Sequence, residues 1–363
     1  MKTKLLSFFI LGFAQYASAQ IAIVQDETPQ QLIMNTFAGE NVTISNVKFN
    51  LSEITASGPN EQFARFFNGM AGIGLEDGLI LTTGKAQVAL GPNNSSGTQI
   101  PALPMHLGDI DLHLALNGAS QVQSVGVVEF DFVPTGNTVY FEYVFASEEY
   151  PEWSNSSFND VFGLFLSGPS TSGIYSGNGQ NIAEIPNTDM VVSINNLNNG
   201  NQNQGPCENC QYYVSNGLGQ TPNLNTEIQY DGHTTVLTAT GPVVPGALHH
   251  IRIAVGNVGD NALDSAIFLK SGSFRSATLL STADIALQVV KMYPNPASQF
   301  IRISAALNVE SISIADMTGR TVRNIQVSSN DAEIDLTGFS KGSYLATFSL
   351  ADGSRETQKL VVR

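Results

Sequence analysis

A chain of 363 residues with 42% apolar and only 13% charged residues has enough apolar side chains for two or three folded domains, and too little charge for charge-driven disorder. Acidic residues outnumber basic residues 31 to 16, and the excess lies in residues 21–284, which hold 24 acids and six bases. A domain with this charge repels phosphate backbones, so we expect no nucleic-acid partner and a preference for cations.

Residues 1–20 have the features of a secretory signal peptide. Two lysines precede an apolar run from Leu5 to Ala14, and Ala17-Ser18-Ala19 matches the small-x-small pattern of a signal-peptidase site. We expect residues 1–19 to be the signal peptide, with cleavage between Ala19 and Gln20. The apolar run is too short to cross a bilayer as a helix, and no later run reaches about 18 residues, so we expect no transmembrane segment.

Residues 20–276 predict a large all-β domain, a β-sandwich of jelly-roll type, because short β-forming runs alternate with glycine, asparagine and serine. Val128–Phe132 and Val139–Phe145 place alternating apolar residues on either side of a turn, which predicts a β-hairpin with one aromatic face. One helix is predicted at Thr28–Phe37, and a turn at Asn60–Asn68. The asparagine- and glutamine-rich stretch Asn195–Gln204 predicts an exposed loop.

The segment Phe145–Gly168, with the sequence FASEEYPEWSNSSFNDVFGLFLSG, is the most distinctive in this domain. GLILTTG, GPNN and GDIDL lie upstream of it, and YDGHTTVLTA and GDNALDSAIFLKSGSF lie downstream. In this order the motifs resemble the choice-of-anchor L domain, a bacterial extracellular module whose relatives end in different surface-attachment signals. The resemblance implies an extracellular location but no particular chemistry. Asn257 stands where that family often has an aspartate.

Acidic residues cluster within this segment and in a later loop that ends at Asp264. Because like charges repel, such a cluster is tolerated when it is solvated, partly protonated or arranged around a cation. Calcium binds six to eight oxygen ligands from carboxylates, amides and carbonyls. One hypothesis is a calcium site, and the alternative is a solvated acidic loop; Asp109 and Asp111 form a loop of the same chemical type. The candidate calcium ligands are Glu148, Glu149, Asn159, Asp160, Asp260 and Asp264.

Catalysis is a less favoured interpretation of the same acids. A polysaccharide hydrolase needs two carboxylates that face one substrate bond, and they would come from Glu142, Glu149 and Asp160. Adjacent glutamates on a strand point to opposite faces, so Glu148 and Glu149 make a poor pair. The sequence has neither a G-x-S-x-G nor an H-E-x-x-H motif. We therefore expect no catalytic residues and no enzyme activity.

Four further residues of this domain are functional candidates. Tyr150 and Trp153 stand beside acidic and amide side chains, a combination that suits a sugar ring; packing of Trp153 beneath its own loop is the alternative. Cys207 and Cys210 are the only cysteines. In an exported protein we expect them to form a disulfide with each other rather than a redox or metal site.

Residues 291–363, which follow a linker at 277–290, predict a small immunoglobulin-like β-sandwich. Ile301 and Ile303, Ile312 and Ile314, and Tyr344–Phe348 alternate with polar residues, and glycines lie at the intervening turns. A module of this size can fold alone around a modest core.

The same segment resembles a type A sorting domain of the type IX secretion system. The resemblance is carried by YPNP at Tyr293–Pro296, DMTG at Asp316–Gly319, an L-T-G-F-x-x-G-x-Y run at Leu336–Tyr344 and the terminal KLVVR. It implies recognition by the outer-membrane translocon. The residues to which it assigns the sorting signal are Pro294, Asn295, Pro296, Gly319, Gly342, Tyr344, Lys359 and Arg363.

Together the two resemblances imply a protein that a Gram-negative bacterium exports across both membranes and then secretes or attaches to its outer surface. The expected function is that of a non-catalytic binding or adhesion module, stabilised by calcium as its sole cofactor. The alternatives are a secreted polysaccharide hydrolase and a passive coat protein. The expected partners are the type IX secretion machinery and an extracellular glycan or cell-surface ligand.

Overall fold

A computed structural model describes residues 20–50, 52–53, 61–102, 108–118, 121–169, 171–217, 227–278, 290–351, 353 and 355–363. The chain divides into two compact units, Met1–Leu279 and Leu280–Arg363. Both consist mainly of β-strands, so the predicted all-β class is confirmed. The predicted signal peptide, with Ala19 at its end, and most of the predicted linker lie outside the described residues.

The larger unit contains fifteen strands among its described residues. In chain order they are β1 (Ala22–Val24), β2 (Val42–Phe49), β3 (Ser52–Glu53), β4 (Phe63–Phe67), β5 (Gly78–Thr82), β6 (Val122–Pro134), β7 (Thr138–Ser147), β8 (Val161–Ser167), β9 (Gln180–Asn181), β10 (Tyr213–Ser215), β11 (Gly232–Thr234), β12 (Leu237–Pro242), β13 (His249–Val258), β14 (Ser265–Lys270) and β15 (Arg275–Ala277).

The helices of the larger unit are short. They are α1 (Pro29–Leu32), which continues as a π-helical turn (Ile33–Phe37), α2 (Met70–Ile73), α3 (Ile110–Ala115) and 3₁₀ turns at Ala86–Ala89, Ser176–Asn178, Asn201–Asn203 and Cys210–Tyr212. Thr28 caps α1 through a capping box with Gln31, as the predicted helix start requires. The predicted helix is therefore confirmed, but the turn predicted at Asn60–Asn68 is wrong, since strand β4 lies there.

Two sheets form the larger unit. The first sheet has the order β1-β4-β5-β14-β7-β11-β10, and β12 and β15 also pair with β7. The second sheet has the order β3-β2-β6-β13-β8-β9. One apolar core contains side chains from both sheets, including Phe130 of β6 and Phe141 of β7. The ring of Phe274 contacts both of these rings, with centroids 5.1 and 5.9 Å away. The predicted sandwich is therefore present.

The hairpin predicted from the alternation in β6 and β7 is wrong. β6 pairs with β2 and β13 in the second sheet, whereas β7 pairs with strands of the first sheet. The turn between them carries the chain from one sheet to the other. Their aromatic faces meet across the core because alternation identifies the buried face of a strand, but not the strand beside it.

Smaller apolar layers cover the outer faces of both sheets. Residues that include Ile73, Val88 and Tyr230 cover Val144 and Phe268 on the first sheet. Leu112 of α3 packs on the second sheet, in a cluster with Val127 of β6 and Ala254 of β13. The strands are therefore buried on both faces over much of their length, which is why several of them lack a polar face.

The predicted exposed loop at Asn195–Gln204 is wrong in part. Asn198 is fully buried, and its Nδ2 donates a hydrogen bond of 2.9 Å to the carbonyl oxygen of Ile194. Leu197 and Gly200 are also buried. Asparagine side chains form hydrogen bonds with the backbone of this segment and allow it to be buried. Polar composition alone therefore did not indicate exposure.

The smaller unit is a five-stranded sheet of the order β16-β17-β19-β20, with β18 paired to β17. The described strands are β16 (Val290–Tyr293), β17 (Phe300–Asp316), β18 (Thr321–Asp335), β19 (Gly342–Leu350) and β20 (Arg355–Val362). β17 pairs along one edge with β18 and along the other first with β16 and then with β19. The alternating isoleucines predicted to be buried, Ile301 to Ile314, lie in one core, as expected.

Gly78 tests the pairing of β5 with β14. A Cβ at this position would overlap the carbonyl oxygen of Leu269, and neither backbone can move without breaking the pair. Gly78→Ala should lower the free energy of unfolding by about 2–3 kcal/mol, measured by urea denaturation. Gly97→Ala is the matched control, because its Cβ would meet only the flexible tip of Leu263, at 2.9 Å. Equal losses in the two variants would contradict this account.

Candidate acidic site at the end of β7

The acids indicated by the sequence follow directly after β7. That strand ends at Ser147, which pairs with Ser265 of β14 and with Gly232 of β11. Phe145 faces the core between the sheets, and Ala146 faces the outer layer of the first sheet. Beyond Ser147 the chain leaves the sheet in a turn, and Glu148 and Glu149 lie beside different neighbours there.

Glu148 and Glu149 consequently belong to two different groups. The negative charges that act most on Glu148 are those of Asp231 and Asp264, whereas those of Asp160 and Asp260 act on Glu149. We call Glu148, Asp231 and Asp264 the outer acidic group, and Glu149, Asp160 and Asp260 the inner acidic group. The structure thus adds Asp231, which is not among the predicted calcium ligands. The two groups adjoin each other, because the negative charge of Asp264 also acts on Asp160.

Glu148 has the fewest hydrogen bonds in the outer acidic group. It is fully buried, and neither of its carboxylate oxygens has a hydrogen-bond partner. The Thr98 backbone and the Gln229 side chain lie nearby and partly favour the ionised form of Glu148, but neither completes a hydrogen bond to it. Burial, with the negative charge of Asp231 as the next cause, raises the pKa of Glu148 to about 10.

The other two outer acids have partial hydrogen bonding. Asp231 accepts a hydrogen bond from Asn93 on one oxygen, and its second oxygen has no partner. Asp264 accepts one of 2.8 Å from the backbone N–H of Ile100. Burial raises the pKa of Asp231 to about 8 and that of Asp264 to about 7. Gly84 makes room for this carboxylate, since a Cβ there would collide with it.

The inner acidic group is better bonded. Asp160 accepts hydrogen bonds from the Val258 N–H at 2.9 Å and from Ser265 Oγ at 2.6 Å. Glu149 has one oxygen without a partner, and so does the fully buried amide of Asn257, whose Nδ2 donates to two carbonyls of the following loop. Burial raises the pKa of both Glu149 and Asp160.

Three further residues that the sequence linked to calcium binding lie outside both acidic groups: Asn159, Asp109 and Asp111. Asn159 uses its Oδ1 to accept a hydrogen bond of 2.8 Å from the Asn195 N–H, so that oxygen is already engaged. Asp109 caps α3, and both Asp109 and Asp111 form ion pairs with Arg252. The expectation that this pair belongs to a calcium-type loop is therefore wrong.

Among the described residues, no lysine or arginine forms an ion pair with either acidic group. Residues 21–284 contain six Lys and Arg residues, and five of them form ion pairs with other acids. Among the described residues, no three Asp, Glu, His or Cys side chains are arranged to hold a metal ion by themselves. A cation at either group would therefore also need oxygens from amides or carbonyls, which calcium accepts readily.

The aromatic ligand candidates differ in exposure. Tyr150 is fully buried, and its hydroxyl donates to the carbonyl oxygen of Leu197 at 2.7 Å, so the expectation that it contacts a ligand is wrong. Trp153 is 43% exposed and packs edge-on against Phe158, with ring centroids 5.2 Å apart. Trp153 therefore both packs on its own loop and presents a face to solvent.

The cysteines and the proposed catalytic acids have distinct surroundings. The sulfur atoms of Cys207 and Cys210 lie at bonding distance in the structure.

Glu142 lies on β7 and forms an ion pair of 2.6 Å with Lys270. At roughly 3.3 Å per residue, the stretch of β7 from Glu142 to Ser147 alone spans about 16 Å, which exceeds the separation of a carboxylate pair on one glycosidic bond.

Three residues of the proposed sorting signal, Asn295, Lys359 and Arg363, take part in hydrogen bonds that join the YPNP segment to the C-terminal strand. Asn295 donates a hydrogen bond of 2.6 Å to the carbonyl oxygen of Lys359 and accepts one of 2.9 Å from the Val361 N–H. The terminal Arg363 donates its N–H to the carbonyl oxygen of Ala297 at 2.8 Å. The YPNP segment and the C-terminal strand therefore form one continuous structure.

Family comparison identifies both units. Residues 20–275 match the choice-of-anchor L domain. The chain belongs to the choice-of-anchor L family. Residues 291–363 match the secretion system C-terminal sorting domain. This choice-of-anchor L protein is therefore exported by the type IX route and is either attached to the outer cell surface or released. None of its described helices is long and apolar enough to cross a membrane.

A curated relative is Beta-agarase A of Zobellia galactanivorans, which is 29% identical over 120 residues. The match covers 31% of this chain and 21% of that protein, so the chain spans only about a fifth of its relative.

Solved structures give only distant similarities. PorZ, a surface component of the type IX secretion system of Porphyromonas gingivalis, aligns with a TM-score of 0.20 and 18% identity over 29% of this chain and 14% of its own. The β-glucuronidase of Ruminococcus gnavus aligns with a TM-score of 0.19 and 9% identity over 66% of this chain and 35% of its own. TM-scores this low carry no argument about function.

The outer acidic group predicts a pH-dependent stability in the presence of a chelator. The folded state keeps Glu148 protonated up to a pKa of about 10, whereas its ordinary value is 4.5. The unfolded chain therefore loses this proton at a lower pH than the folded protein does. Between these two pKa values the free energy of unfolding falls as the pH rises, by up to about 1.4 kcal/mol per pH unit. The unfolding temperature in EDTA should be clearly lower at pH 8.5 than at pH 5.5.

Trp153 fluorescence follows the unfolding of the larger unit, because it is the only tryptophan. Glu148→Gln removes one ionisation and should reduce the difference between the two pH values. Glu142→Gln, at an ion-paired surface site, should leave it unchanged. An unfolding midpoint that is equal at both pH values in the unsubstituted protein would contradict the raised pKa of Glu148.

Proposed function

We propose that this protein is a non-catalytic binding module of the outer cell surface or the extracellular space, and that calcium stabilises it. Its family and its sorting domain support the location. The observation that supports calcium is the burial of Glu148 without a partner for either oxygen, next to two other buried acids. Extracellular calcium is abundant enough to fill even weak sites of this chemical type.

The outer acidic group is the preferred place for the ion. Glu148 offers two free oxygens and Asp231 offers one, whereas both oxygens of Asp160 in the inner group already accept hydrogen bonds. Amide or carbonyl oxygens of neighbouring residues would complete the coordination. A bound divalent cation would replace the protons that these carboxyl groups otherwise retain.

A hydrolase is the less supported alternative. Glu149 and Asp160, the remaining candidate pair, are 2% and 1% exposed, and a polysaccharide chain cannot reach carboxyl groups so deeply buried. Glu142 is accessible but is neutralised by Lys270 and is distant from the others. The same argument favours a stabilising role for these acids over a catalytic one.

Thermal unfolding at pH 8 in calcium and in EDTA tests the calcium proposal. A site filled at about a hundred times its dissociation constant adds roughly 2.7 kcal/mol to the free energy of unfolding. For a unit of this size the midpoint should rise by about 5–10 °C in calcium. No rise in calcium would refute the proposal.

Matched substitutions locate the ion. Glu148→Gln and Asp231→Asn should abolish the calcium-induced rise, since each removes a charged ligand from the outer acidic group. Asp160→Asn should lower the midpoint equally in calcium and in EDTA, because it weakens the hydrogen bonds to Val258 and Ser265 without removing a ligand. A rise that survives Glu148→Gln and is lost in Asp160→Asn would move the ion to the inner acidic group.

A further inference from the structure

The outer face of the second sheet carries a pocket of about 500 Å³, away from both acidic groups. Three adjacent strands supply its floor: Glu129 of β6 lies opposite Arg252 of β13, which lies opposite Phe165 of β8. In the next row His250 lies opposite Ser167. Ile110 of α3 and the turn at Ser176 form its wall. Its volume is typical of sites for small molecules or single residues of a polymer.

Arg252 is held in place before any ligand arrives. Its Nη1 lies 3.4 Å from Asp111 Oδ2, and its Nη2 forms an ion pair with Asp109. Asp109 is itself fixed, because it accepts hydrogen bonds from the backbone N–H groups of Asp111 and Leu112 at the start of α3. Asp111 also accepts two hydrogen bonds from Ser176. A guanidinium fixed in this way provides a preorganised donor.

Glu129 is the acceptor beside it. Its carboxylate lies 3.6 Å from Lys48 Nζ and 3.8 Å from both His250 Nε2 and Arg252 Nε. These distances exceed the roughly 2.7–3.2 Å of a direct hydrogen bond to nitrogen. The Glu129 side chain is only 12% exposed, but it lines the pocket and can accept a hydrogen bond from a ligand there. The pocket therefore presents an acceptor next to the Arg252 and His250 N–H donors.

Charge restricts the ligand that fits this arrangement. An anion in the pocket would meet Asp109, Asp111 and Glu129, and a cation would meet Arg252. A neutral group with adjacent hydroxyls can donate to Glu129 and accept from Arg252 at once, without adding a charge to the pocket. Ile110, which is 62% exposed, offers apolar surface to the C–H face of such a ligand.

We propose that this pocket, lined by Glu129, Arg252, His250 and Ile110, binds a neutral polyhydroxylated ligand, namely a sugar residue of an extracellular glycan. The inference rests on the proposed binding function and names its site and ligand class. It does not depend on calcium, because the pocket and the acidic groups share no residue.

Affinity electrophoresis of the mature chain tests the inference. Native gels would contain a neutral polysaccharide (laminarin, galactomannan or xylan), anionic alginate or cationic chitosan. We expect at least one neutral polysaccharide to retard the protein. Ile110→Ser and Glu129→Ala should each weaken that retardation about tenfold or more in apparent affinity, since each removes a direct contact. Glu129→Gln retains the shape of the side chain and provides a second variant if Glu129→Ala fails to fold.

Two substitutions serve as controls. Met70→Ser replaces a 56% exposed residue of α2, a helix that packs on the first sheet, and Glu142→Ala removes a surface acid from β7 of that sheet. Both should be retarded like the unsubstituted protein. Retardation by alginate or chitosan alone, or by none of the polysaccharides, would overturn the inference. Retardation by a neutral polysaccharide that Ile110→Ser and Glu129→Ala leave intact would overturn the site while preserving the binding function. The thermal unfolding midpoint of Ile110→Ser should still rise normally in calcium. Such a rise would show that a failure of the glycan inference leaves the calcium proposal intact.

Discussion

The burial of five carboxyl groups around the end of β7 is the constraint on which the larger unit depends. Glu148, Glu149, Asp160, Asp231 and Asp264 are all nearly inaccessible, and none forms an ion pair with a described basic residue. Transfer of an isolated carboxylate from water into a protein interior is unfavourable by many kcal/mol, so these groups must be protonated or balanced by a cation. The proposed dependence of stability on pH and on calcium follows from this burial.

The sandwich explains how such a site is built. The last residue of β7 pairs with the first residues of β14 and β11, so residues distant in sequence are brought together at this end of the three strands. The aromatic core around Phe274 holds the two sheets and thereby sets the positions of these strand ends. The two faces of the second sheet are used differently: one is buried in this core, and the other carries the paired charges around Arg252.

Much of the architecture was predictable because it is encoded locally. Alternating isoleucines identified the buried faces in the smaller unit, and the helix predicted from Thr28 onward is present. Strand partners were not predictable, which is why β6 and β7 were mistaken for a hairpin. Asp231 was missed in the acidic site because it precedes a short strand far along the chain, and its only local signal was a Tyr-Asp-Gly turn. Tyr150 resembled a ligand contact because an aromatic residue in an acidic loop carries no local sign of burial.

The sequence by itself determined the all-β class, the family and the export route, since each rests on contiguous patterns such as the SEEYPE segment or the terminal KLVVR. The tertiary structure alone decided that Glu148 and Glu149 face different partners, that Asp109 and Asp111 pair with Arg252, and that a pocket opens on the second sheet. The physical reason is that strand order and register, which are long-range properties, decide which side chains share a face and which of them lose contact with water.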